Sequence, residues 1–547
     1  MRRTPCTSSI PQGKLFSMIW VDQIVEEIAT RFHDKIAEGK PLIIRDEKTL
    51  SGRVHVGSLR GIVIHGLVSQ VLSMRNIQNT FKFELNDFDP MDGLPIYVDQ
   101  EQYRPHMGKP LFAVPAHEPG AENYPMVFGK ELQRVVEPLR LPIEYYTLRP
   151  LYETGKFNEV IREALDNAEK IRTIYYEVSR GKKADDWHPL SVICEQCGRV
   201  GTTQVTGWDG EKVHYTCKEH YVKWAEGCGH RGSISPFDGN AKLPWKVEWP
   251  AKWKVLGVDV EGAGKDHYAA GGSREIGRRI SEEVFHNPEP LNIPYEFFNF
   301  KGKKMSASKG LGASAKEIAD LLPPTLLKLL MIRKVPNQPI DLDPEGATIP
   351  TLFDEYDRLA DHYFRRHPEP YEGYARTFQL TQIDPIVPPK DLWKMRFTVL
   401  SFILQMPHLT LREEAVKLKG SPLNADEFAA LEERAKYVLP WLKNYAPEEF
   451  IYKILKEPLS DLKLDPAQVT ALKALKTALA SPSLVWEGAP IHETIHLVKA
   501  EQAIEPKNLF QPLYQLFLGR TSGPQVGWFL STFQREEVLR RIDAVVS

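Results

Sequence analysis

Pro41-Leu-Ile-Ile-Arg-Asp-Glu-Lys-Thr-Leu-Ser-Gly-Arg-Val-His-Val-Gly-Ser58 is the stretch from which the fold can be read. Pro41–Arg45 is a short apolar run with two isoleucines, suited to a buried parallel strand. The polar residues from Asp46 to Ser58 include Gly52 and Gly57 and read as a loop. Beyond them Leu59, Ile62, Val63, Leu67, Val71 and Leu72 recur at helical spacing. Thr80-Phe-Lys-Phe-Glu-Leu85 then alternates as a strand does. Strand, loop, helix and strand form one right-handed βαβ unit. Its loop falls at the C-terminal edge of a parallel sheet, where such folds bind ligands.

That placement gives the loop residues a chemistry. Gly57 lets backbone approach a ligand closely. The helix N-terminus after Ser58 offers unpaired N–H groups and a positive dipole end to phosphate. His55 can donate to phosphate oxygens as charge builds during displacement at an α-phosphate. For an isolated HxGS, a satisfied loop histidine and a turn glycine would be the better reading. The strand before and the helix after favour the nucleotide.

A second unit follows far along the chain. Val255–Val260 reads as a strand running into Glu261-Gly-Ala-Gly-Lys-Asp-His267, with a helical stripe of Ile276, Ile280 and Val284 behind it. Gly262 and Gly264 suit close approach to a nucleoside, Asp266 suits ribose hydroxyls, and His267 can reach a substrate. A lone GxG is more often a turn, and its position after a strand raises its weight. Tyr295–Phe300 is an aromatic strand candidate. Lys301-Gly-Lys-Lys-Met-Ser-Ala-Ser-Lys-Gly310 follows, with four lysines in ten residues. Such a loop can close on a triphosphate and stabilise departing pyrophosphate. Most lysine runs are solvated turns; the interleaved Met305, Ser306 and Ser308 make this one specific.

Composition narrows the class. At 547 residues the chain implies about two to four domains. Lys plus Arg total 70 against 72 for Asp plus Glu, so a nucleic acid must be held by local patches. No apolar run is long enough to span a bilayer, and no signal-peptide core follows the polar Met1–Lys14. Four of five cysteines crowd into positions 194–228, which suits a metal in a reducing compartment better than disulfides. A cytoplasmic protein is expected, away from membranes.

The HVGS and KMSAS segments together resemble the paired nucleotide motifs of class I aminoacyl-tRNA synthetases, and the match is closer to class I lysyl-tRNA synthetases, the archaeal type. Thr49–Gly57, Lys242-Leu-Pro-Trp-Lys-Val-Glu-Trp-Pro-Ala-Lys-Trp253, Gly264-Lys-Asp-His267, Tyr295-Glu-Phe297 and Lys304–Gly310 carry it. Gln405–Leu409, Asn444–Glu448 and Gly519–Pro524 extend it, from Met18 onward. The resemblance implies a Rossmann-like α/β catalytic domain with HIGH and KMSKS motifs and a zinc-containing insertion, then an all-α anticodon-binding domain. The expected limits are 19–300 for the catalytic domain, with the insertion at about 90–245 and its zinc segment at 194–230. A loop and stem-contact segment at 301–350 and helices at 351–547 follow.

The same resemblance implies lysine activation by ATP with Mg²⁺ and transfer to tRNA(Lys), by a monomer. His55, Ser58, Lys304 and Lys309 would be catalytic. Gly52, His55, Gly57, Ser58, Gly264, Asp266, Lys304, Met305, Ser306 and Ser308 would hold ATP. Glu47, Thr49, Trp245, His267 and Tyr295 would hold lysine, with Trp249 and Trp253 as rivals to Trp245. An aromatic wall suits the aliphatic stem of lysine, and Glu47, Asp87 or Asp89 is a candidate for its ammonium. Three positions depart from the family pattern: Glu47 for a glycine-like residue, Leu50 for proline, and Ala307 for the inner loop lysine of the wider class. The alternatives are a glutamyl- or glutaminyl-type synthetase, a smaller nucleotidylyltransferase, and a non-catalytic tRNA-binding paralogue.

Cys194-Glu-Gln-Cys197 followed by glycine is half of a zinc ribbon, completed by Cys217 and a fourth ligand. Cys228 is the first choice, with His230 or His220 as alternatives. From about Thr351 the strand runs stop and stripes such as Val399, Phe402, Ile403, Met406 and Phe510, Leu513, Leu516, Phe517 mark helical core.

Overall fold

The computed structural model describes residues 18–304, 313–458 and 462–546. Two compact units emerge. The first comprises the chain up to Asp343 together with Glu355–Lys390, and the second Pro344–Asp354 with the chain from Asp391 onward. The helix Thr348–Tyr363 thus straddles the expected boundary at 351.

The first unit is built on a parallel sheet of β1 (Leu42–Thr49), β2 (Asn79–Asn86) and β3 (Ile143–Thr147) in the order β1-β2-β3. The sheet continues past β1 through parallel bridges from Ile44 to Val260 and from Val260 to Leu291. Arg45 N–H donates to the Val260 carbonyl at 2.9 Å, and Leu291 N–H to that of Asp259 at 2.8 Å. Chain order therefore runs 3-2-1 on one side and resumes beyond β1 with the two later segments. The reversal lies between β1 and Val260, and ligands of doubly wound sheets bind outside the strand ends at such a point.

α1 (Leu59–Met74) crosses from β1 to β2 and is buried along most of its length. It is the one described helix long and apolar enough to cross a membrane, and 78% of that span is buried inside the protein. His65 fastens it: its Nε2 accepts from Gly262 N–H at 2.9 Å and its Nδ1 lies 2.8 Å from the Gly61 carbonyl.

β1 runs past the expected end at Arg45 to Thr49. Its polar residues stay in register with β2, with Glu47 opposite Glu84. Two facing carboxylates would repel, and buried cations remove the penalty. Arg45 reaches Glu47 at 2.5 Å, Glu84 at 2.7 Å and Glu261 at 2.6 Å. Lys252 reaches Glu47 at 2.7 Å and Glu84 at 2.6 Å.

The strand expected at Val255–Val260 is largely absent. Val255 and Leu256 close α2 (Trp245–Leu256), which ends at Gly257 in the left-handed region at φ 62°. Only Val260 then makes a bridge to the sheet. The helical stripe expected from Ile276 becomes α3 (Ser273–Glu283), and the aromatic strand shortens to Phe298–Phe300.

The second unit is helical. Its core includes Phe397, Trp441, Leu513, Phe517 and Phe529, and it takes in the expected stripe residues Phe402, Ile403, Met406 and Leu516. The Gln405 side chain donates to the Phe450 carbonyl and accepts from Tyr452 N–H, both at 2.9 Å. That motif is a structural clamp.

Candidate active site

A cavity of about 320 Å³ opens at the reversal of the first unit's sheet. β1 supplies Asp46, Glu47 and Lys48, and the turn before α1 supplies His55, Gly57 and Ser58. Phe83 of β2, Gly264, Asp266, His267 and the segment Tyr295–Phe298 complete the lining. Eight residues expected to handle ATP or lysine, from three separate sequence regions, thus share one cavity.

His55 precedes a 3-10 turn, Val56–Ser58, that runs directly into α1, so the turn presents early helix N–H groups. Burial, and then the charge of Lys48, push the His55 imidazole down to about 4. Its Nδ1 is enclosed without a protein partner. A neutral ring with one unused donor-acceptor atom fits hydrogen bonding to a phosphate oxygen.

The lysine-rich loop is rooted here. Lys303 and Lys304 pair with Phe300 and Asn299, next to the cavity residues Phe297 and Phe298. On its far side Ser314 bridges to His55, and Val56 N–H donates to the Ala313 carbonyl at 3.1 Å. Met305, Ser306, Ser308 and Lys309 lie outside the described residues.

The three tryptophans of α2 separate by environment. Trp249 and Trp253 are buried and donate to the two oxygens of Glu261 at 3.0 and 2.6 Å. Trp245 is only partly buried, stacks on Trp249 at 5.1 Å, and meets the His267 ring at 5.1 Å. Its Nε1 donates to Glu47 at 3.2 Å. Thr49 donates to Asp89 at 2.7 Å, and Asp89 also pairs with Lys242 at 3.1 Å. Neither Thr49 nor Trp245 lines the cavity itself; they stand behind Glu47 and His267.

Residues 18–384 match the family model described as tRNA synthetases class I (K), and 424–546 one described as an anticodon binding domain. This chain belongs to the class I (K) tRNA synthetases. It is 32% identical to a lysine–tRNA ligase of Methanosarcina barkeri strain Fusaro, over 96% of this chain and 97% of the relative. A lysine–tRNA ligase of Thermoplasma acidophilum is 31% identical over 97% and 99%. One from Methanocaldococcus jannaschii is 30% identical over 96% and 99%. The synthetase therefore has a class I catalytic domain and a helical anticodon-binding domain, as expected.

Several expected residues take other places in this synthetase. Asp87 accepts from the N–H groups of Leu148 and Arg149, both at 3.0 Å, so its carboxylate caps the helix Arg149–Glu153. Gly262 is a packing glycine, since a Cβ there would lie 2.1 Å from the Ile293 carbonyl oxygen. A Cβ on Gly264 would meet only Tyr295, at 3.7 Å. Gly52 packs under Tyr97 and Pro95, away from the cavity lining. A strand read as ending at Arg45 leaves Asp46 and Lys48 in a loop and out of the site. Alternation along a longer strand would have pointed both toward the α1 face.

In the cysteine segment the Sγ atoms of Cys194 and Cys228 are 3.6 Å apart, and those of Cys197 and Cys217 3.7 Å. All four lie within 4.8 Å of one another, and neither His220 nor His230 joins the group. The sheet Thr203–Trp208, Val213–Cys217, Arg231–Ile234 carries the segment.

Proposed function

We infer that this synthetase is a lysine–tRNA ligase. It activates L-lysine with ATP, brought as its Mg²⁺ complex, and transfers lysine to the 3′ end of tRNA(Lys). The observation that carries the reading is the convergence of His55, Gly57, Ser58, Gly264, Asp266, His267 and Tyr295 on one cavity, in a chain with full-length lysine–tRNA ligase relatives.

In this reading the nucleotide phosphates meet the turn at His55–Ser58, and Asp266 takes the ribose. The lysine carboxylate attacks the α-phosphorus, and the bond to the bridging oxygen of pyrophosphate breaks. A terminal ribose hydroxyl of tRNA then attacks the lysyl carbonyl and releases AMP. Positioning and fixed donors supply the acceleration, with no covalent intermediate on the enzyme. Lys304 and Lys309 bring positive charge to the departing pyrophosphate.

Of the three tryptophans Trp245 is the one that backs the cavity wall, packed on His267 and bonded to Glu47, while its two neighbours are locked onto Glu261. Behind that wall three buried cations, Arg45, Lys242 and Lys252, face five carboxylates, Glu47, Glu84, Glu248, Glu261 and Asp89. A cationic substrate offsets that excess, and an acidic one adds to it. The glutamyl-type alternative is disfavoured on this ground. Glu47 is absorbed into the network and leaves the cavity open, which removes the motive for a non-catalytic paralogue.

The four cysteines fit Zn²⁺: a tetrahedron with Zn–S bonds near 2.3 Å has S···S edges of about 3.8 Å. The ion would cross-link the segment and take no part in the reaction. Residues 19–300 are assigned to catalysis with the insertion at about 90–245 and 301–350 to the loop and stem contacts, while the anticodon falls to the second unit, whose helices run from Asp391 onward. Charging of tRNA(Lys) transcript with labelled lysine tests the assignment. Lysine charging supports it; charging by glutamate or glutamine instead, or no charging, refutes it.

A further inference from the structure

Lys48 is the one lysine or arginine among the described residues that line the cavity. It sits on β1 two residues after Asp46, on the face opposite Arg45 and Glu47. Arg45 and Glu47 turn toward Lys252 and Trp245 of α2, whereas Asp46 turns to α1, 3.3 Å from His65. Lys48 follows Asp46 onto the α1 face, beside His55 and the helix-opening turn.

Lys48 is half-buried, and its ammonium has no hydrogen-bond or ion-pair partner among the described residues; Asp46 and Glu47 act on it only at a distance. Both of those carboxylates are already engaged. Asp46 accepts from Glu47 N–H at 2.8 Å, and Glu47 is held by Lys252 and Arg45. A half-buried cation without a protein partner is open to an anionic ligand. Burial pulls the Lys48 ammonium below its ordinary range, and the neighbouring His55 is neutral at physiological pH. Fixed positive charge on this wall of the cavity therefore resides in Lys48 alone among the described lining residues.

We propose that Lys48 binds the α-phosphate of the nucleotide, as a cation supplied by the sheet in addition to Lys304 and Lys309. The division of labour is chemical. Neutral His55 donates a hydrogen bond, Lys48 supplies charge to the phosphoryl group that persists in the adenylate, and the loop serves the leaving pyrophosphate. The proposal rests on reading the cavity as the nucleotide site.

The test uses the full-length protein and the variants Lys48→Met and Lys48→Arg. Adenosine, AMP and Mg²⁺-ATP are titrated by calorimetry, and thermal unfolding is followed without ligand. Lys48→Met should weaken AMP and ATP alike by roughly 10- to 100-fold and leave adenosine unchanged. Lys48→Arg should restore most of the loss. Without ligand, Lys48→Met should unfold close to the parent's temperature, because no hydrogen bond or ion pair is lost with the ammonium. Unchanged AMP affinity, a loss confined to ATP, an equal loss for adenosine, or an unfolding temperature many degrees below the parent's would each overturn the proposal. If the parent protein binds none of the three ligands, the nucleotide reading itself fails; parental AMP binding retained by Lys48→Met refutes only the role of Lys48.

Discussion

Lys252 Nζ stands 2.7 Å from Oε2 of Glu47, and this contact determines what Glu47 does. Burial opposes ionisation there, yet the Lys252 ammonium and the Arg45 guanidinium hold the Glu47 carboxyl well below the usual carboxylate range. Its other oxygen accepts from Trp245. Glu47 is a bracket between the sheet and the tryptophan helix, and its charge is already spent on residues of its own chain.

Removing Lys252 should therefore be severe. Lys252→Met leaves Arg45 alone to hold Glu47 and Glu84, which face each other in register, and a broken buried pair costs about 3–5 kcal/mol. Urea unfolding measures it, and a loss below about 1 kcal/mol would mean the network relaxes around the gap.

Two glycines two residues apart should respond differently. Gly262→Ala drives a Cβ against the Ile293 carbonyl at 2.1 Å and should prevent soluble expression or lower stability by several kcal/mol. Gly264→Ala has room at 3.7 Å, so it should fold and raise the KM for ATP several-fold. Circular dichroism melts and exchange kinetics separate the two outcomes; equal damage to stability would contradict the assignment.

His55 gives a pH signature. Its folded value of about 4 lies below the ordinary 6.5. Between those limits the unfolded chain binds more protons, so stability falls as pH drops from 6.5 toward 4. His55→Gln should remove up to roughly 3 kcal/mol of that fall. Asp87, raised to about 6 by burial, acts in the opposite sense over much of the same range. The readout is thus the difference between variant and parent at pH 7 and pH 4.5, and no difference would contradict a buried neutral imidazole.

The cysteine quartet predicts one zinc per chain by atomic absorption. Chelation, or Cys228→Ser, should lower the unfolding temperature by several degrees. Metal-free protein with an unchanged melt would reduce the quartet to buried thiols.

Much of this architecture was readable because glycine-rich turns flanked by apolar runs mark strand ends. The Pro41–Ser58 stretch led to the sheet edge, and Gly264–His267 to the opposite wall. What escaped was charge inside the fold. Asp46, Glu47 and Lys48 look like loop residues until Arg45 and Lys252 are seen to neutralise the facing carboxylates. Those partners lie up to 205 residues apart, beyond any local pattern. The supposed strand at Val255 failed for a related reason: its apolar residues finish a helix whose inner face is tryptophan.

The account stands on lysine and ATP meeting in the cavity beside His55. Lysine-dependent exchange of labelled pyrophosphate into ATP, measured for the parent and for His55→Ala, tests this most directly. The prediction is exchange with lysine but not glutamate or glutamine, falling by roughly 100-fold or more in His55→Ala while calorimetric lysine binding persists. Exchange driven by glutamate, or undiminished in His55→Ala, would contradict it.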